Sequence, residues 1–473
     1  MDYKGYKHVS SIGDVPNCFM IPHGIVDFES MGTLVERDGS GKHLLVFHGD
    51  LFNSGRMQCP NCKENMHINN TFACALRHLP FGSTLSFIRF TRKQYFCPCC
   101  GATKMEEVSF RAKHHRITKL LERYAEELLA SGYTNKEVSG ITGIGQGVVK
   151  AIDKDRLRRE YTERKEEGRQ AVLTLRRPKE YARQLGIDEF KLHKGNRFAT
   201  HIIDMETGHI LWIGHGKRKQ IVYDFIEHVG EEWMSHVEAV ACDMNSDYEE
   251  AFEERCEWIQ PVFDYFHIVK NFNEDVVDEV RKDEQRRLEE RKDYAGAQAL
   301  KKTKYILTSK RSTLQRKDRE AAEGKILMPG SELFHQPEVK RHGGYEAKYN
   351  ELLKENKLLF TLDLIKEQLR AAYEEIDETE MANRIADIMD MCNASGNKHL
   401  KRFARLLDRH FTGIIAHATF RISSGKIEGI NNKIKTIRRQ AYGIPDDEYF
   451  FLKVIDASYR TYVRNPKSHM FSH

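Results

Sequence analysis

The sequence predicts a multidomain α+β protein on three observations: two cysteine pairs in β-rich sequence, two short helices in a basic stretch, and strands ending in aspartates far upstream of an isoleucine-striped helix. At 473 residues the chain is long enough for two to four domains. Its composition, 40% hydrophobic and 31% charged, is that of a globular protein, and no apolar run approaches the ~18 residues of a membrane span, so no membrane partner is expected. The first residues, MDYKGYKHVS, lack the apolar core of a secretion signal. A cytoplasmic, reducing setting is therefore expected, where ten cysteines argue for metal ligation or buried thiols before disulfides.

Net charge is only +5, but it is unevenly spread. Residues 111–183 hold 18 Lys/Arg against 11 Asp/Glu, and residues 298–320 hold eight against two. Either block alone could be a solvated helix face. Two blocks flanking a candidate site fit a polyanionic ligand.

Along the chain, residues 1–55 read as short strands and turns (GIVDF, HLLVFHG) of no legible role. Residues 56–110 combine strands with Cys59-Pro-Asn-Cys62 and Cys97-Pro-Cys-Cys100. Two such knuckles are the zinc-ribbon arrangement, in which four thiolates close a structural Zn2+ site with no open position. Cys74 and Cys99 compete for the fourth place.

Residues 111–183 read as mostly helical. Asn135 is a candidate N-cap for a helix KEVSGIT, Gly143-Ile-Gly145 a turn, and QGVVKAIDKDRLRRE a second helix. Val138, Ile141, Ile144, Val149 and Ile152 would pack the pair, leaving Gln146, Lys150 and Lys154 outward. That is a helix-turn-helix, whose second helix would enter a DNA major groove.

Residues 184–270 change to strands. Ile187–His193 alternates and places Asp188 with Phe190 and Leu192 on one face; Phe198–Asp204 returns, and HILWIG follows. After a helix, VEAVACD ends at Asp243, Ser246 and Glu249 suggest a capping box, and PVFD ends at Asp264, just before His267. Three antiparallel strands, a helix and further strands are the order of an RNase H-like α/β core, in which a first-strand carboxylate lies beside one ending the fourth strand. Asp188 and Asp243 fit those places. Asp204 is the rival to Asp188, one strand further away, about 4.8 Å.

Residues 271–420 read as a helical insertion, broken near Met328-Pro329-Gly330 and His342-Gly343-Gly344, and residues 421–473 as the closing helices of the core. In Lys426–Arg439 a stripe of Ile427, Ile430, Ile434 and Ile437 opposes Glu428, Asn432, Lys435 and Arg439, with Arg438 beside them. Glu428 is the candidate third carboxylate; the amides and bases after it suit DNA phosphates. Three carboxylates suffice for two Mg2+ (or Mn2+) ions, because magnesium takes hard oxygen ligands and keeps several waters. Such a pair activates a water or 3′-hydroxyl at a phosphodiester.

These residues resemble the ISL-three family of insertion-sequence transposases: CPNC and CPCC, GIDEFKLHKGNRFATHIID (186–204), ACDMNSDYEEAF (241–252), VFDYFHIVKNFN (262–273) and KIEGINNKIKTIRRQAYG (426–443). The resemblance implies a DDE transposase acting on double-stranded DNA, both element ends and target, with Asp188, Asp243 and Glu428 as metal ligands. The 185 positions from Asp243 to Glu428 leave room for the helical insertion it also implies. Asp264 and His267 match a family motif and would support the ligands or contact a DNA end. A homodimer is expected in the synaptic complex, and association with the nucleoid. The tight CPCC knuckle and residues 1–50 fit the pattern less closely. Two other readings stay open: a catalytically inactive DNA-binding regulator of transposase descent, and a structure-specific nuclease of the same fold.

Overall fold

A computed structural model describes residues 7–11, 25, 27–51, 57–167, 170–244, 246–423, 425–441 and 444–460. By its internal contacts the chain divides into one unit of residues 1–176 with 436–457 and another of 177–435 with 458–473.

The first unit begins with strands β1 (Lys7–Ser11), β2 (Phe28–Arg37), β3 (His43–Leu51), β4 (His67–Phe81), β5 (Thr84–Phe96) and β6 (Thr103–Met105). They form one sheet in the order β1-β2-β3-β5-β4, with β6 on β5. The run Leu44-Leu45-Val46-Phe47 is buried throughout, the mark of a strand covered on both faces. Accordingly β3 lies between β2, antiparallel, and β5, parallel. The expected boundary at 55/56 thus falls inside a single sheet.

Three helices follow: α1 (Lys119–Ala130), α2 (Asn135–Thr142) and α3 (Gln146–Tyr161). Helix α2 is capped by Thr134 rather than Asn135, because Thr134 and Glu137 close a reciprocal capping box. Gly143, in the left-handed conformation, ends α2. Val138, Ile144, Val149 and Ile152 join Leu121, Ala125 and Leu129 of α1 in one core. Ile141 does not join them and is 38% exposed. Residues expected to be helical after α3 instead pair as β7 (Thr162–Glu167) and β8 (Gln170–Leu175).

The second unit carries β9 (Gln184–Lys191), β10 (Phe198–Asp204), β11 (Ile210–His215), α4 (Gln220–Met234), β12 (Ala239–Ala241), α5 (Ser246–Arg255), β13 (Gln260–Val262) and α6 (Tyr265–Asn271). The sheet order is β11-β10-β9-β12-β13. Its first three strands are antiparallel neighbours, whereas β12 runs parallel to β9 and β13 parallel to β12. Leu185, Ile187, Ile202, Val240 and Cys242 bury one face in a core shared with α4 and α5.

Helix α6 continues through a π-helical segment, Phe272–Val277, into α7 (Asp278–Glu290), the first of ten helices among the described residues that end with α16 (His417–Phe420). They include α12 (Lys357–Glu374), α13 (Glu378–Ala394) and α14 (Lys398–Arg409). The expected Gly/Pro breaks bound a two-stranded ribbon, β14 (Ile326–Met328) with β15 (Val339–Lys340). Leu362, Ile365, Leu369, Ile385, Ile388 and Leu400 make the buried side of this helical region.

Two helices close the chain: α17 (Gly425–Gln440), which counts with the second unit through Lys435 and with the first thereafter, and α18 (Asp447–Tyr459). In the first unit, α18 packs on α3 through charge. Asp153, fully buried, accepts from Arg156, Lys453 and the Tyr449 hydroxyl, while Asp456 receives Arg156 and Tyr161. Residues 421–473, expected wholly with the core, are therefore shared between the units. Among the described residues no helix is long and apolar enough to cross a membrane.

Candidate functional site

The first unit gathers four cysteines. The hairpin β4–β5 pairs His67 with Phe96, so its open end sets Cys59–Cys62 beside Cys97–Cys100. Both knuckles turn alike. Each first cysteine accepts at its carbonyl from the N–H four residues on, at Lys63 and Gly101, and those two residues carry positive φ values of 64° and 74°. The Sγ atoms of Cys59 and Cys100, and of Cys62 and Cys97, are 3.4 Å apart, and those of Cys62 and Cys100 3.6 Å. Sulfurs held tetrahedrally by 2.3 Å bonds lie about 3.8 Å apart, so this cluster could hold a zinc ion. The N–H groups of Cys62 and Asn61 turn toward Cys59 and bring its thiol down to about 6, while the neighbouring sulfurs push the thiols of Cys62 and Cys100 up, since without a metal the close sulfurs cannot all ionise. Cys99 is exposed outside the cluster and Cys74 lies on β4, so neither rival belongs to it.

On α3, Gln146 stands exposed as expected. Lys150 and Lys154 are already engaged: Lys150, its side chain still 41% exposed, pairs with Asp446, and Lys154, largely covered, pairs with Asp446 and Glu448. The sequence hides this because their partners lie nearly three hundred residues downstream. Arg438 lies over the Phe450 ring, 4.8 Å from its centroid, whereas Arg439 is exposed.

The second unit builds a carboxylate centre. In the parallel pairing, Ala241 of β12 stands opposite Gly186 of β9. Two residues further on, Asp188 is still on β9 and Asp243 lies just past the end of β12, close enough for its charge to act on Asp188. Strand alternation puts Asp188 on the face away from α4 and α5. That face receives α17 at Gly186. A Cβ there would lie 2.4 Å from Met205 Sδ and 2.9 Å from Ile427 Cδ1, so only glycine allows this approach.

One turn along α17, Asn431 Nδ2 donates to Asp188 Oδ2 at 2.6 Å, and Asp188 Oδ1 accepts from the Glu189 N–H at 2.7 Å. Burial raises the Asp188 pKa above its usual range despite these bonds. Asp243 is pulled below its range by His267, whose Nδ1 lies 3.2 Å from Oδ1. His267 titrates above its ordinary value, because the hydrogen bond to Asp243 and the charges of Asp243 and Asp188 outweigh the burial that opposes them.

Asp204 is occupied elsewhere: its carboxylate accepts from the N–H groups of Glu206 and Thr207 and from the Thr207 hydroxyl. It is a turn residue, which disfavours it as the first carboxylate. Asp264 is nearly buried beside Tyr373 and His417. Glu249 receives His410 Nδ1 at 3.1 Å; the capping box expected of it with Ser246 involves a side chain outside the described residues. Glu428 is exposed on α17 and has no hydrogen bond or ion pair among the described residues. It precedes Asn431 by three residues, a spacing that leaves Cβ atoms about 5–6 Å apart. Asn432 and Lys435 are also exposed.

Sequence reasoning missed Asn431. It also missed His201, opposite Asp188 on β10, fully buried with neither ring nitrogen bonded among the described residues and its pKa pushed down to about 4 by burial.

These features agree with comparisons to known proteins. A transposase family model of the ISL-three DDE type matches residues 185–454, more than half of the chain. The transposase for insertion sequence element IS1001 of Bordetella parapertussis is 28% identical over 403 residues, 84% of this chain and 88% of that protein. The transposase for insertion sequence element IS1557 of Mycobacterium tuberculosis (strain ATCC 25618 / H37Rv) is 25% identical over 267 residues, 55% of this chain and 56% of that protein. The chain belongs to the ISL-three family of transposases. Membership makes DNA its partner and DNA cleavage its class of activity.

Proposed function

We propose that this transposase binds the ends of its element as double-stranded DNA and cuts and joins strands with a DDE carboxylate set of Asp188, Asp243 and Glu428. The observation that carries this reading is the closeness of Asp188 on β9 and Asp243 just past the end of its parallel neighbour β12, with a glutamate-bearing helix seated on β9 at Gly186. The strand order β11-β10-β9-β12-β13, three antiparallel and two parallel, supports an RNase H-like core. The cluster of α1, α2 and α3, with its capped second helix and glycine turn, supports a helix-turn-helix with Gln146 at the head of α3.

The donor set fits hard divalent cations. Both aspartates offer oxygen, and Asn431 Oδ1, buried and without a hydrogen-bond partner among the described residues, leaves a further acceptor at the same spot. Asp188, Asp243 and Glu428 would hold the Mg2+ or Mn2+ ions, two in number, whose chemistry there would be activation of a water or 3′-hydroxyl and stabilisation of the leaving oxygen. Around them the protein's part is positioning. Asn431 fixes Asp188, His267 fixes Asp243, and Lys435 and Arg439 on α17 are available to DNA phosphates. In the cysteine cluster, Zn2+ would contribute folding energy and hold together the open end of the β4–β5 hairpin; a closed site leaves no position for substrate.

The test incubates the purified protein with a labelled duplex carrying its element end, with magnesium, beside Asp188→Asn, Asp243→Asn and Glu428→Gln. Wild type should cut and join, and the variants should bind but do neither. Cutting without joining would favour a nuclease. Equal binding with no cutting by any protein, in magnesium or manganese, would favour a regulator.

A further inference from the structure

A cavity of about 580 Å3 opens beside Asp243, walled by the π-helical segment on one side and by α14 on the other. Helix α14 contributes Arg402, Arg405 and Arg409 to its lining. These positions follow one another at intervals of three and four, so the guanidinium groups share one face over about 10 Å of helix.

All three are exposed, and none makes an ion pair among the described residues. Elsewhere in the helical region the basic side chains are commonly paired. Arg281 meets Asp278, Arg287 meets Glu284, Arg370 meets Glu374 and Arg384 meets Glu375. Even on α14 itself, Lys398 and His399 share Asp283. At the far end of the cavity His410 is held by Glu249. The other carboxylates of the cavity wall are Asp243 and Asp275. Three arginines therefore face Asp275 alone once Asp243 serves the metal. Such an excess needs an external anion, and planar guanidinium forks match phosphate oxygens.

We infer that this cavity is the track for the DNA strand being cut, with Arg402, Arg405 and Arg409 gripping successive phosphates beside Asp243. The inference rests on the DDE reading for the identity of Asp243, but its grip on DNA is measurable without cleavage. The arginines are positioning residues: they hold the strand and touch no reacting atom.

The test compares wild type with the triple variant Arg402→Gln, Arg405→Gln, Arg409→Gln and with a control triple outside both the cavity and the basic blocks, Arg291→Gln, Lys348→Gln, Lys354→Gln, all three exposed. Binding to a 30-base-pair fluorescent duplex is titrated from 50 to 200 mM salt. Each lost phosphate contact lowers the salt slope by about 0.9, so over this range wild-type affinity should fall about 40-fold more than that of the cavity variant. The control should keep the wild-type slope, and all three proteins should melt alike, since every changed side chain is at the surface. An unchanged slope in the cavity variant, or an equal drop in the control, overturns the inference. If wild type binds with the expected slope difference yet cuts nothing, the DDE reading fails while the track stands.

Discussion

Asn431 shows how a single amide can set a carboxylate. It donates to Asp188 while the Glu189 N–H takes the other oxygen, so the side chain has one orientation. Replacing Asn431 with Leu should lower magnesium-dependent cleavage about 10- to 100-fold, in the range of residues that orient metal ligands. The magnesium concentration for half-maximal cleavage would rise, and an unchanged curve would remove Asn431 from the site. The placement of Asp188 on β9 and of Asp243 just after β12 was legible, because strand alternation and a strand end are written in the sequence; their part in catalysis is proposed. Asn431 was not legible. It lies between the isoleucine stripe and the polar ladder of Glu428, Asn432, Lys435 and Arg439, so helical spacing assigns it to neither. Only the seating of Ile427 on Gly186 shows which strand it meets.

Among elements, the contact of α17 with β9 is the most exacting. Gly186→Ala would put a methyl group into Met205 and Ile427 and push the helix outward. A loss of about 1–3 kcal/mol is expected, as for other overpacked contacts, seen as a lower melting temperature. Cleavage should fall with it, because Asn431 and Glu428 ride on the displaced helix; wild-type melting and cleavage would show the space to be freely adjustable. Spacing predicted the knuckles, and hairpin register explains their meeting. Local pattern also gave α2 and α3, yet it left Lys150 and Lys154 outward. Ion pairing with a distant acidic segment is invisible to any window of sequence.

For the whole molecule, the chain returns at its end to complete both units. A fragment ending at residue 176 lacks Tyr449 and Lys453, which leaves buried Asp153 with Arg156 alone. Removing partners from a buried charge costs about 3–5 kcal/mol, so α1–α3 in that fragment should melt early and be restored by a peptide of residues 436–460. Calorimetry that finds no binding of this peptide would contradict the arrangement. The sequence boundary at 55/56 failed for a related reason: β3 pairs in parallel with β5, across a gap that looks like a linker.

The position of α17 also sets a clock. Asp188 and Asp243 leave the ribosome well before Glu428, and at about 5–20 residues per second the 185 positions between Asp243 and Glu428 take roughly 10–40 s to synthesise. Throughout that interval Gly186 faces no helix and the aspartates have neither Asn431 nor a third acid. On the DDE assignment proposed above, a nascent transposase, or one cut short anywhere before α17, would carry two of its carboxylates without the means to break the genome that encodes it.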